Sequence, residues 1–302
     1  MAKVALKATT TDMLPIQAVG TYQGLKSPFV NGLVVLFNGA INSFVPAVPG
    51  ATASATIPFP APIFLCGDMT NGIVVSDGAQ NMAYLTGIGN TGASWNTLPS
   101  LPLPLEGGTT SEPFAALSGD LANGLVAFDG FNLFSMTLGS APFEWHMMTQ
   151  PPAIGTLQYI AGDPTNGVLL VIAPTAGGPS VLYYSQGCSC NWVQVTASTP
   201  GLQLVKIKVE QVCGTGSGFV IYGENQLFTL VLKYTPSSAT APATCTAVAT
   251  KFAPPPFAIT NLTGDPVNGC TATCDTSGLI ATTTAKFDFW TVINAQPPVQ
   301  QQ

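Results

Sequence analysis

Arginine is absent from all 302 residues, histidine occurs once, and only 7% of positions are charged. Each shortage excludes a class of chemistry. Guanidinium forks grip phosphate, carboxylate and guanine edges through paired hydrogen bonds, and lysine does not replace them. The eight bases are Lys3, Lys7, Lys26, Lys206, Lys208, Lys233, Lys251 and Lys286, and with fourteen acids they leave a net charge of −6. Such a chain lacks the basic field that nucleic acid requires. The single His146 rules out histidine-based triads and zinc sites that need two or more imidazoles.

Long apolar runs are missing too. Mean hydropathy is +0.37, yet every run is broken by Gly, Pro, Asn or Thr before the roughly 20 residues of a spanning helix. No membrane insertion is expected. The opening Met1-Ala2-Lys3-Val4-Ala5-Leu6-Lys7 leads into the polar Thr9-to-Asp12 stretch and not into an apolar core, so no secretory signal is expected. The seven cysteines (Cys66, Cys188, Cys190, Cys213, Cys245, Cys270 and Cys274) are odd in number and scattered, which argues against a disulfide framework. Within one repeat, Cys213 and Cys245 are a candidate pair in an oxidising compartment.

What remains is a chain that is 46% hydrophobic with 31 Gly and 26 Pro. Monomers rarely expose broad apolar surfaces, so the composition predicts a surface covered in part by neighbouring subunits.

Self-similarity gives the architecture. Gly-Asp-x-x-Asn-Gly occurs four times: Asp68, Asn71 and Gly72; Asp120, Asn123 and Gly124; Asp163, Asn166 and Gly167; Asp265, Asn268 and Gly269. Degraded copies at Asn31-Gly32 and Ser217-Gly218 complete a period of about 40 to 52 residues, that of a propeller blade. Asp and Asn favour tight turns and Gly accepts positive φ, so each motif predicts a hairpin. Calcium binding is disfavoured, because one carboxylate per turn falls short of six to eight oxygens.

Before each turn stands a short strand of small residues, as in Ile63 to Cys66 and Phe114 to Leu117; after it comes an apolar run such as Leu125-Val126-Ala127-Phe128. A third strand follows, then a fourth carrying Trp95, Trp145, Trp192 or Trp290, each trailed by proline, which suits an outer-strand exit. Four strands per repeat without helical periodicity predict an all-β fold, a single closed β-propeller of about six four-stranded blades, or seven if the N-terminal strand opens its own. The repeats are placed at 20–62, 63–104, 105–153, 154–201, 202–256 and 257–302. Residues 1–19 form a latch strand on the last blade that removes an exposed edge.

Two segments carry a family resemblance. Asn90-Thr91-Gly92-Ala93-Ser94-Trp95 resembles the Asp-box of sialidase-type propellers, Ser-x-Asp-x-Gly-x-Thr-Trp, with Asn90 in place of Asp. Ser185-Gln186-Gly187-Cys188-Ser189-Cys190-Asn191-Trp192 keeps the Ser and the Trp but has Gly187 where Asp belongs. The resemblance implies a turn closing the third and fourth strands and a Trp packed between blades, a fold marker without chemistry. The wider repeat resembles sialidase-like propellers of bacteriophage tail and other virion proteins.

The namesake chemistry is excluded, because sialidases hold the substrate carboxylate with an arginine triad. Another glycosidase would need two facing carboxylates, and only Glu106 and Glu112, flanking a Gly/Thr loop, are close in sequence. Cys188 with Cys190 and Cys270 with Cys274 have soft-metal spacing, but zinc would require convergence from separate repeats. No catalytic, cofactor or metal residue is therefore expected. The fifth repeat departs most, with the charged Lys206-to-Glu210 segment and a Ser/Thr/Ala/Pro-rich loop from Thr235 to Ala243.

The expectation is a non-enzymatic structural component of a bacteriophage virion, at the tail or capsid surface. Its partners are other virion proteins or copies of itself, with a host-surface glycan as an adhesion target. The alternatives are a stand-alone lectin-like propeller binding glycan through Tyr84 or Tyr183, or a self-assembling filament or surface-layer subunit.

Overall fold

The computed structural model describes the strands named below and most turns between 57 and 252. Outside the described residues lie 1–17, 22–32, 45–50, 103–115, 198–207, 253–258, 283–289 and 294–302. Shorter joins at 38–39, 54–56, 61, 69–70, 79–80, 87–92, 138–142, 153–154, 188–190, 217, 266–268 and 275–277 also lie outside them.

The described strands fall into six consecutive sets of four. The first set is β1 (Ala18–Thr21), β2 (Leu33–Phe37), β3 (Ala40–Phe44) and β4 (Ala51–Ala53). The second is β5 (Phe64–Asp68), β6 (Gly72–Ser76), β7 (Met82–Leu85) and β8 (Trp95–Thr97). The third is β9 (Ala116–Asp120), β10 (Gly124–Phe128), β11 (Leu133–Met136) and β12 (His146–Met147). The fourth is β13 (Gly155–Asp163), β14 (Gly167–Pro174), β15 (Val181–Ser185) and β16 (Val193–Ala197). The fifth is β17 (Gln211–Thr215), β18 (Gly218–Gly223), β19 (Gln226–Thr235) and β20 (Thr244–Phe252). The sixth is β21 (Ile259–Asp265), β22 (Gly269–Cys274), β23 (Gly278–Thr282) and β24 (Trp290–Ile293). Within each set neighbours pair in sequence order and antiparallel, as in a propeller blade.

Burial explains why the second strands of the second to fifth repeats read as apolar runs. β6 and β10 are buried at every position, because a blade is covered on both faces by its neighbours. Cores therefore lie between blades. Val74 and Met82 of the second blade share a cluster with Leu125, Ala127 and Phe134 of the third; Val126 and Leu133 of the third share one with Val168 and Leu170 of the fourth.

The innermost strands neighbour one another in a cycle: β1 lies against β5, β5 against β9, β9 against β13, β13 against β17, β17 against β21, and β21 against β1. The last blade has four contiguous strands of its own. Ala18 and Val19, expected in the latch, belong instead to β1; the remainder of the latch segment lies outside the described residues.

One departure from the repeat is that the fourth and fifth blades form a continuous eight-stranded sheet, with β16 and β20 paired parallel.

Candidate functional site

The repeated Gly-Asp-x-x-Asn-Gly turns are the residues that the sequence singles out most clearly, and in the third and fourth blades their side chains close on themselves. Asp120 Oδ1 accepts from the backbone N–H of Ala122 and of Asn123, both at 2.8 Å, and Oδ2 accepts from the Asn123 amide at 2.8 Å. Asp163 repeats this with Thr165 N–H at 3.0 Å, Asn166 N–H at 2.8 Å and the Asn166 amide at 3.1 Å. These are Asx turns in which one carboxylate caps two backbone donors. With its acceptor positions committed to the turn, the carboxylate is not presented as a cation ligand. Burial raises the Asp120 carboxyl above its ordinary value, against the lowering effect of its hydrogen bonds from Asn123 and Ala122.

The same turns fasten one blade to the next. Thr165 donates from both N–H (3.2 Å) and Oγ1 (2.7 Å) to the Asn123 carbonyl of the preceding blade, and Ser118 Oγ donates to the Gly162 carbonyl at 2.8 Å. Gly167 has φ +135 and lies against the Tyr184 hydroxyl, which a Cβ would approach to 2.1 Å. The Tyr184 hydroxyl is placed to donate to Gly216 O at 3.0 Å and Asn166 O at 3.3 Å, spanning the fourth and fifth blades. Burial first, then the nearby Cys245, Asp163 and Tyr234, pushes its pKa up to about 12.

In the second and sixth blades, Asp68 ends β5, Asn71 and Gly72 begin the return, Asp265 ends β21 and Gly269 opens β22. Asn268 lies outside the described residues.

Two of the four tryptophans serve blade boundaries. Trp145 is buried between the second and third blades, and its Nε1–H donates to the Pro99 carbonyl at 3.0 Å. Trp192 Nε1–H donates to the Thr149 carbonyl at 2.7 Å while its ring packs against the cluster shared by the third and fourth blades. Each indole thus reaches back to the exit of the preceding blade. Trp95 packs on the opposite face of the second blade, and Trp290 opens β24.

Other candidates separate. Tyr183 is buried between blades and Tyr84 is half-buried, edge-on to Phe143 at 6.1 Å, so neither offers an open ring to a glycan. Cys213 and Cys245 belong to clusters on opposite faces of the fifth blade, which does not suit a disulfide between them. Cys270 is the second residue of β22 and Cys274 its last, four residues or roughly 13 Å apart at strand rise, too far to share one metal. His146 is exposed on β12. Glu106, Glu112, Asn90, Cys188, Cys190 and Lys206 lie outside the described residues.

Sequence reading missed a second set of Asp turns, between the second and third strands. Asp129 accepts from Phe131 N–H at 2.7 Å and Asn132 N–H at 2.5 Å; Asp77 accepts from Asn81 N–H at 3.1 Å and from its amide at 2.5 Å. Asp77-Gly78 and Asp129-Gly130, each followed by Asn within four residues, were the available signal. Phe131 stands 71% exposed on this fixed turn, its carbonyl held by Gln150 Nε2 at 3.0 Å.

No family's sequence model matches the chain, and no curated protein matches it. Among the solved structures similar in shape are two of YCF48. YCF48 bound to D1 peptide aligns with TM-score 0.48 and 9% identity over 93% of this chain and 82% of that one. YCF48 from Cyanidioschyzon merolae aligns with TM-score 0.44 and 13% identity over 66% of this chain and 63% of that one. The phage setting rests on the repeat resemblance alone.

Proposed function

We propose that the chain is a single closed six-bladed propeller that serves as a non-enzymatic structural part of a larger assembly, with a virion as the setting suggested by its repeats. One observation carries this reading. The side chains that the repeats retain are committed to the fold's own hydrogen bonds: Asp120 and Asp163 to their turns, Trp145 and Trp192 to the preceding blade. Repetition here supports a scaffold, and a chain with only 7% charged residues suits permanent neighbours. Light scattering on the purified chain across a concentration series tests it. Association into discrete oligomers or polymers is expected; a chain that stays monomeric at high concentration overturns the assembly reading.

A glycan-binding propeller is the second reading, and exposed Phe131 favours it, since its turn backbone is held by hydrogen bonds and an open aromatic ring can stack on a sugar. Binding on a glycan array that disappears in Phe131→Ala would support it, and an array without hits would remove it.

A further inference from the structure

We infer that β16 is a strap that takes, at the fifth blade, the place of the tryptophan anchor seen in the third and fourth blades, and that it joins the fourth and fifth blades into one cooperative unit. The inference concerns the ring itself and does not depend on the assembly reading. In the third and fourth blades the indole of the outer segment donates back to the exit of the preceding blade, Trp145 to Pro99 and Trp192 to Thr149. The outer strand of the fifth blade, Thr244–Phe252, contains no tryptophan. Where that reach would be needed, the preceding outer strand crosses over. Val193 and Gln194 of β16 pair with β15 in their own blade, whereas Val195, Thr196 and Ala197 pair with Cys245, Thr246 and Ala247 of the next. Thr196 Oγ1 also donates to the Cys245 carbonyl at 3.2 Å.

The crossing is built into the packing on that side. Cys245 and Ala247 are small and buried in the cluster that also holds Val195, Tyr184, Phe219 and Leu230, so no bulky ring keeps the two outer strands apart. Both ends of the same boundary are tied: Tyr184 Oη to Gly216 O at one end, and Val209 N–H to Ser180 Oγ, at 3.1 Å, toward the other. On its opposite face the β19–β20 hairpin leaves the facing pair Val231 and Val248 54% and 51% exposed. Among the described residues this is the sole boundary where outer strands of two blades pair. A parallel ladder of this kind adds backbone hydrogen bonds that break only if the blades part, whereas an indole anchor supplies one.

Hydrogen exchange of the full chain, followed by mass spectrometry in low denaturant, tests the strap. In the wild type, peptides covering 193–197 and 244–248 are expected to exchange as one slow class with a shared dependence on denaturant. In Thr196→Pro, which cannot maintain the ladder at its centre, both peptides should exchange at least tenfold faster, while peptides covering β10 keep their wild-type rates. If the two wild-type peptides differ tenfold in rate, or if the variant loosens β10 as much as β16, the strap is not a device of its own and the inference fails. If the variant does not fold, the wild-type comparison alone decides.

Discussion

At Asp163 a single carboxylate accepts from two backbone donors and one side-chain amide, so its loss leaves turn donors unpaired in a partly buried place. Hydrogen bonds to charged groups contribute about 1.5–3 kcal/mol each; with partial replacement by water, Asp163→Ala is expected to cost about 2 kcal/mol in urea unfolding. Asp120 adds a pH signature. Burial raises its carboxyl in the folded chain above 3.8, so the folded state holds that proton more tightly than the unfolded state. The stability this provides is complete below pH 3.8 and is lost as pH rises through the folded midpoint. Asp120→Asn cannot ionise, so paired urea midpoints should shift in favour of the variant as pH climbs through that window. An unchanged difference would contradict the raised value. Thiol chemistry gives a third check. Burial pushes the Cys66 thiol up, with the charge of Asp120 adding to the effect, and it pushes Cys245 up to about 11. Thiolate is the reactive form, so maleimide should label neither before denaturation, as peptide mapping would show.

Among elements, the tryptophan segments separate hydrogen bonding from packing. Trp145→Phe keeps an aromatic ring between Leu125, Met136 and Leu98 but loses the bond to Pro99, and is expected to cost about 1 kcal/mol. Trp145→Ala also leaves a cavity and should cost about 3–5 kcal/mol; equal losses in chemical unfolding would show that the indole N–H contributes nothing. This level of organisation was largely legible in sequence, because a strand buried on both faces must be apolar throughout and a tight turn must be Asp, Asn and Gly. The start of β5 differs from the sequence expectation by one residue, since Ile63 is exposed and outside β5 despite its apolar character, whereas Phe114, the expected start of β9, lies outside the described residues. The extension of β13 to nine residues was missed because register shifts at Gln158, interrupting the alternation by which a strand is recognised. The β16–β20 pairing left no local trace: two Thr/Val/Ala-rich strands whose paired residues are 50 apart, such as Val195 and Cys245, look like ordinary edge strands until the missing tryptophan of β20 is set beside Trp145 and Trp192.

For the molecule as a whole, the cyclic contact of inner strands distinguishes a ring from an open stack. In a solenoid, removal of a terminal repeat shortens the protein and uncovers one interface. Here the boundaries between the second and third, third and fourth, fourth and fifth, and fifth and sixth blades each hold an apolar cluster drawn from both partners, and β21 of the last blade lies against β1 of the first. Cys213, Val220, Tyr222 and Leu227 of the fifth blade are covered by Ile259 and Leu262 of the sixth. A chain ending at Phe252 would expose that apolar surface at one end and leave β1 without its neighbour β21 at the other. The truncated chain is therefore expected to lose its cooperative thermal transition, read by circular dichroism, and to aggregate where the full chain remains dispersed. A soluble five-blade product that melts cooperatively near the full chain's midpoint would show that the contact between β21 and β1 adds little, and that the repeats behave as a stack with two free ends.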